Sequence, residues 1–239
     1  VTDISLYLGA ENNCDYLPGR SARMAFVPPE DELGSEGYRL LVANGFRRSG
    51  RLVYRPHCIA CAACRPVRLP VADFTPNRAQ RRLLRLNEGL QLLRKPPILD
   101  DVHYQLYLRY LQRRHPDTDM VRMTADDYMS FLGDSGWSGT EFWELRAGTD
   151  LLAVSVVDVL GDGLSAVYSF YDPDLERRGL GTYAVLAQIN AAVDLGLAWL
   201  YLGFWITECR KMAYKGGFRP LEVLTPTGWR RLDRGEAVP

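Results

Sequence analysis

Nowhere in the 239-residue chain is there the run of about 18 apolar residues that a membrane-spanning helix requires. The opening stretch, VTDISLYLGAENN, lacks the basic and apolar regions of a secretory leader. Both absences predict a protein that works in the cytoplasm, with no membrane partner. Internal repeats and low-complexity tracts are missing too, so neither a solenoid nor a long flexible linker is expected. With 47% hydrophobic and 24% charged residues, the composition is that of a folded chain. The cysteines are odd in number: Cys14, Cys58, Cys61, Cys64 and Cys209. An odd set without a leader argues against a disulfide framework.

Net charge is zero, yet the charge is unevenly spread. Positions 39–94 hold twelve arginines against two acids, Asp73 and Glu88, a net of +10, so the remainder carries −10. Such a segment suits a polyanion partner for one part of the protein, with a solvated charged face as the plain alternative. Arginine pairs with phosphate in a planar fork and stacks on unpaired bases, which fits an RNA end. A helix is predicted over 77–86, with Leu83, Leu84 and Leu86 toward a core and Arg78, Arg81, Arg82 and Arg85 outward.

Lys95-Pro96-Pro97 interrupts any helix and divides the chain into 1–95 and 96–239. The first part is small and rich in cysteine and arginine, with short strands near 51–54 and 67–69. The second reads as a helix over 100–114, a short helix capped by Thr124, and strands over 140–146, 151–160 and 164–171. A helix over 179–195, a strand over 198–204, a helix over 208–214 and strands over 219–224 and 229–232 follow. This order is that of an α+β, acetyltransferase-like mixed sheet flanked by helices, with a smaller N-terminal α+β domain.

Between the strand at 164–171 and the helix at 179 runs Glu176-Arg177-Arg178-Gly179-Leu180-Gly181. Glycines at a helix start let backbone N–H groups face an anion. The spacing resembles the coenzyme A pyrophosphate loop of the N-acetyltransferase superfamily. There, however, Gln or Arg stands where this chain has Glu176. An acid is unhelpful beside a pyrophosphate. The plain alternative is a tight turn.

Longer segments resemble the arginyl-tRNA–protein transferase family. They are Tyr168-Ser169-Phe170-Tyr171-Asp172-Pro173-Asp174, Leu180-Gly181-Thr182-Tyr183, Trp199 through Ile206, and Cys209-Arg210-Lys211-Met212-Ala213-Tyr214-Lys215. Cys14-Asp15-Tyr16-Leu17-Pro18-Gly19-Arg20 and Tyr54 through Cys64 are similar to its bacterial branch. The resemblance spans nearly the whole chain. It implies an aminoacyltransferase that takes leucine from charged tRNA and places it on proteins beginning with Asp or Glu. The product carries a destabilising N-terminus and is degraded. Arginyl transfer to the same acceptors, an acetyl-coenzyme A-dependent N-acetyltransferase and a catalytically dead RNA-binding module are the alternatives.

Cys58, Cys61 and Cys64 follow a Cys-x-x-Cys-x-x-Cys spacing, and Cys14 can supply a fourth thiolate. Four thiolates suit zinc or a [4Fe–4S] cluster; small buried thiols without metal are the alternative. Eukaryotic relatives carry Cys-x-x-Cys near the start, whereas Leu17 replaces the second of that pair here.

The implied reaction is aminolysis of an ester, downhill and needing no cofactor. An α-amino group with a pKa of about 7.7–8.0 is partly neutral at cellular pH, so positioning and oxyanion stabilisation dominate. Tyr168, Tyr171, Asp172 and Tyr201 are expected where strands 164–171 and 198–204 splay. Glu208 is a candidate to orient the amine. Lys211 and Lys215 share a predicted helical face and are candidates for the tRNA end or the acceptor carboxylate. Arg178, Gly179 and Gly181 join the binding set. Arg20, Arg47 and Arg48 are alternatives for either binding role.

Overall fold

A computed structural model describes residues 4–236, apart from 29, 32, 117 and 138. The chain begins with strands β1 (Tyr7–Leu8), β2 (Asn12–Asn13), β3 (Ser21–Ala22) and β4 (Met24–Val27). Helix α1 (Ser35–Ala43) and strands β5 (Arg47–Ser49), β6 (Leu52–Pro56) and β7 (Arg65–Pro70) follow. Then come α2 (Arg78–Leu86), β8 (Gln91–Lys95), α3 (Asp101–Arg114) and α4 (Ala125–Leu132). The last part holds β9 (Thr140–Ala147), β10 (Asp150–Val159), β11 (Gly163–Tyr171), α5 (Leu180–Asp194) and β12 (Trp199–Trp205). It closes with α6 (Arg210–Ala213), β13 (Leu221–Thr225) and β14 (Gly228–Leu232).

Local chemistry sets the helix starts. Asn77 accepts from the Gln80 N–H while Gln80 reaches back to the Asn77 N–H, a capping box. Thr124 and Asp127 do the same for α4, and Asp100 accepts from two N–H groups of α3. The α3 face of Leu106, Tyr107, Tyr110 and Leu111 is buried as its period requires. On α2, all four arginines are exposed, and so is Leu86, against expectation. Gln80 takes the inward position instead, because its side chain is fixed by the cap and donates to the Gly217 carbonyl at 3.2 Å.

Eight strands form one mixed sheet in the order β14-β13-β7-β12-β11-β10-β9-β8. Its one parallel pair is β11 with β12; the other neighbours are antiparallel. Helices cover both faces. Leu186 and Ile189 of α5 pack with Val157 and Leu164, while Tyr107 and Leu111 of α3 pack with Val154, Val156 and Phe170. Adjacent Val156 and Val157 thus serve opposite faces, as strand alternation demands. This is the α+β layering expected from the element order, a mixed sheet flanked by helices. Strand β7 lies between β12 and β13, and β8 forms the far edge, so two strands from residues before 95 complete the larger sheet. No helix among the described residues is long and apolar enough to cross a membrane.

A second sheet, β1-β4-β6-β5, packs with α1 against the first. The seam is apolar, with Tyr38, Leu41, Val42, Phe46 and Val53 against Leu160 and Tyr201. At its centre lies a fully buried ion pair. Arg48 of β5 donates from Nε and Nη2 to Asp158 of β10 at 2.8 and 2.9 Å. The hydroxyls of Tyr38 and Thr140 each donate to the same carboxylate at 2.7 Å, and Arg48 Nη2 also reaches the Leu132 carbonyl at 3.1 Å. Arg48 is therefore not a tRNA or acceptor ligand, as the arginine-rich sequence led us to expect; its charge is consumed inside the seam.

Replacing Arg48 with Met strands the Asp158 carboxylate in a dry interior. Removing one partner of such a pair costs about 3–5 kcal/mol. Urea unfolding of Arg48→Met is expected to show that loss, and a stability within about 0.5 kcal/mol of wild type contradicts the assignment.

Candidate active site

Strands β11 and β12 pair over three positions only, Gly163 with Trp199, Leu164 with Leu200 and Ser165 with Tyr201. Beyond these they part, at the place where a splay was expected. The register of β12 against β7 shifts between Tyr201 and Gly203, and Gly203 has φ of +73°, a region that disfavours side chains. A second reason for glycine is Arg47. Its Nη1 lies where a Cβ on residue 203 would stand, and its Nη2 donates to the Val167 carbonyl of β11 at 2.8 Å. The guanidinium therefore spans from the backbone of β12 to that of β11 and fills the gap between them. Arg47 and Arg48 are consecutive on a strand, so one faces the gap and the other the buried seam.

Arg47 acts on several neighbours. Its charge opposes the effect of burial on the Tyr16, Tyr54 and Tyr214 phenols; burial wins and pushes Tyr16 up to about 12. Lys215 lies buried near it. Burial first, and Arg47 second, drive the Lys215 ammonium well below the usual lysine range. Its Nζ donates to the Phe204 carbonyl at 2.6 Å. The expected helix over 208–214 is short, ending at Ala213 and continuing as a 3₁₀ turn over Tyr214–Gly217. Lys211 stays exposed while Lys215 turns inward, so the two do not form the expected pair on one face.

An aromatic wall forms one side of the opening. Tyr168 packs edge-on against Tyr107 and Phe131, and Tyr171 against Tyr110. Tyr110 also meets His115, whose basicity is lowered by burial, then by Lys211 and Arg114. Asp172 is engaged, accepting from Arg109 at 3.3 Å and from the Asp174 N–H at 3.0 Å. Tyr201 does not join this group. It sits at the closed end of the parallel pair, buried at the seam, its hydroxyl 3.3 Å from Asp162 and 3.5 Å from Arg68. Tyr110, His115 and Tyr214 join this candidate site beyond the residues expected from sequence; the available signals are the apolar α3 face for Tyr110 and the segment 209–215 for Tyr214.

The glycine loop is shaped by packing. Gly179 has φ of +58°, and a Cβ there would stand 2.8 Å from Leu83 of α2. At Gly181 a Cβ would stand 3.0 Å from the Tyr171 ring. Asn87, just past α2, donates to the Arg178 carbonyl at 2.9 Å. The arginine-bearing helix thus grips the start of α5. Glu176 turns to Arg114, 3.6 Å away.

The cysteines gather beyond the far end of β12. Cys14, Cys61 and Cys64 pack with Leu17, Ile206 and Cys209, so Leu17 is apolar filling beside the thiols. All five are free. Three sulfurs accept hydrogen bonds: Cys14 from the Leu17 N–H at 3.4 Å, Cys58 from the Arg23 N–H at 3.5 Å and Cys61 from Arg20 at 3.4 Å. Sulfur ligands suit a soft metal such as zinc or an iron–sulfur cluster. Among the described residues no three of the sulfurs lie within 4.8 Å of one another, against roughly 3.8 Å between sulfurs on a tetrahedral zinc with bonds of about 2.3 Å. The one described triad that does converge, Asp100, His103 and Glu144, is spent internally, Glu144 meeting His103 at 2.7 Å and Arg146 at 2.6 Å. At the rim, Arg20 also meets Glu208 at 3.1 Å.

Comparison with known proteins adds the following. Residues 12–82 match the family described as "Arginine-tRNA-protein transferase, N terminus", and residues 102–225 its "C terminus". The chain is similar to "Aspartate/glutamate leucyltransferase" of Nitrosococcus oceani, with 47% identity over 96% of this chain and 97% of that one. The protein of that name from Pseudomonas aeruginosa is 46% identical over 96% and 97%. That of Halorhodospira halophila is 48% identical over 92% and 93%. Among solved structures, L-PGS from Bacillus licheniformis aligns with a TM-score of 0.46 at 11% identity, covering 60% of this chain and 47% of that chain.

The thiols differ in environment. The Ala63 N–H, then Arg20, hold the Cys61 thiol below its ordinary range, while burial and the other cysteines push Cys64 up to about 12. Because thiolate is the nucleophile, iodoacetamide at neutral pH is expected to modify Cys61 well before Cys64. Peptide mass mapping over time checks this, and labelling of Cys64 first contradicts it.

Proposed function

Because this chain belongs to the arginine-tRNA-protein transferase family, we propose that it transfers leucine from leucyl-tRNA to the α-amine of proteins beginning with Asp or Glu. The observation that carries this reading is 46–48% identity, over nearly full length, to relatives named aspartate/glutamate leucyltransferase. Such a product has a new N-terminal residue, and its fate is degradation. A charged tRNA donor sets the protein in the cytoplasm.

The geometry supplies a mechanism. The α-amine nitrogen attacks the aminoacyl carbonyl carbon, and a C–N bond forms as negative charge builds on the carbonyl oxygen. Arg47, pinned in the gap between β11 and β12, donates to that oxygen. The C–O bond to the terminal adenosine breaks, and the proton lost by the amine goes to the departing hydroxyl. Tyr168 and Tyr171 line the donor's seat, and Lys211 and Tyr214 close its other side. Rings suit an apolar leucine side chain better than a cation. The nearby acid, Asp172, is already paired with Arg109.

The basic face of α2, with Arg78, Arg81, Arg82 and Arg85 exposed, carries the tRNA backbone toward the α5 loop of Arg178, Gly179 and Gly181. No cofactor enters the transfer. If Cys14, Cys58, Cys61 and Cys64 hold a metal cluster, its contribution is to order the two N-terminal loops that bear them.

The deciding assay incubates the protein with tRNAs charged with labelled leucine or arginine and peptides beginning Asp, Glu, Arg or Ala. Leucine is expected on the Asp and Glu peptides alone; no transfer from either tRNA to the acidic peptides refutes the function. Separately, charge reversal at Arg81, Arg82 and Arg85 is expected to weaken charged-tRNA binding and flatten its dependence on salt. Unchanged binding at both low and high salt contradicts the landing site.

A further inference from the structure

The ion pair Arg20–Glu208 joins two segments 188 residues apart beside the cysteine cluster, where Arg20 also meets Cys61. Glu208 lies three residues past the end of β12, the strand that borders the open gap. Arg20 ends the loop that carries Cys14. Both side chains are about half exposed, at 44% and 56%. The contact is a single bond of 3.1 Å, unlike the two-bond fork of Arg94 with Glu141, so part of each group is free. Exposed single-contact pairs are weak and easily exchanged.

Each partner keeps its place when the other leaves. Arg20 is anchored through Nη1 to Cys61 at 3.4 Å. Its backbone is tied by bonds from the Cys14 N–H to the Arg20 carbonyl and from the Arg20 N–H to the Leu17 carbonyl. Glu208 precedes Cys209, whose carbonyl accepts from the N–H groups of Met212 and Ala213.

We propose that this pair reads the acceptor's first residue. The inference rests on the acidic-acceptor reading above. An N-terminal Asp carries a carboxylate and an α-ammonium on one residue, which is the complement of the Arg20–Glu208 pair. The acceptor opens the pair. Its side-chain carboxylate replaces Glu208 on the Arg20 guanidinium, where a two-bond fork becomes available. Its ammonium takes the Glu208 carboxylate. Glutamate fits with one more methylene. A first residue of Asn offers no charge to draw Arg20 from Glu208, and an acetylated N-terminus offers none to hold Glu208. In the resting protein Glu208 thus occupies the acceptor's carboxylate site, which lets neutral N-termini compete poorly. The step is docking alone; no covalent bond changes.

The test measures peptide binding without tRNA, by calorimetry, for four pentapeptides that begin with Asp or Asn and are free or acetylated. Wild type is expected to favour free Asp over free Asn by about tenfold or more, the size of a charge-assisted contact. Arg20→Gln is expected to bring the Asp-to-Asn ratio near one while keeping the effect of acetylation. Glu208→Gln is expected to remove the effect of acetylation. Unfolding midpoints report whether each variant folds, and Arg20→Lys restores part of the Asp preference. If wild type selects Asp and Arg20→Gln selects it equally, the inference is overturned and the acidic-acceptor reading stands. If the pair controls selection but leucine transfer fails in the assay above, the donor assignment falls and the inference stands. Equal binding of Asp and Asn peptides by wild type overturns both.

Discussion

The buried bond between Arg48 and Asp158 is the constraint on which the rest hangs. It ties the small N-terminal sheet to the large one at a point closed to solvent. Four donors converge on one carboxylate, so neither charge is left unpaired. The consequence reaches one residue along the chain. With Arg48 locked inward, strand alternation fixes Arg47 outward, and Arg47 can only enter the gap between β11 and β12. The structural arginine thereby aims the one proposed to meet the oxyanion.

The gap has the same origin as the parallel pair. Two parallel strands that hydrogen-bond for three positions and then part leave backbone groups without a strand partner. The Val167 carbonyl is one, and Arg47 satisfies it. Arg47 and Lys211 concentrate positive charge here, close to a wall of rings. That field suits a reaction in which negative charge grows on one oxygen. Lys215 is a different case: burial, and then the neighbouring Arg47 guanidinium, depress its basicity, and its nitrogen donates to the Phe204 carbonyl of β12.

Much of this was legible in the residues. Helices α2 to α5 follow from periodicity and caps, and strands β9 to β11 from the segments 140–146, 151–160 and 164–171. The splay was legible from element order. What escaped was pairing. Nothing in the alternation of Arg65–Pro70 says that it inserts between β12 and β13, because period reports a face and not a neighbour. Arg48 read as surface because consecutive arginines look solvated until a partner 110 residues away is known. Lys211 and Lys215 read as one face because the break after Ala213 has no proline to announce it. Tyr201 read as a site residue because its strand was right, though its register places it at the closed end. The link between Arg20 and Glu208 had no local signal at all.

The central claim is that Arg47, seated on Gly203, stabilises the oxyanion of the transfer step. The most direct measurement is kcat of Arg47→Ala and Arg47→Lys, which leave the strained backbone at Gly203 untouched. Arg47→Ala is expected to lower kcat by about a hundredfold, the scale of a lost oxyanion donor, and Arg47→Lys to keep part of it. Near wild-type kcat for Arg47→Ala contradicts it.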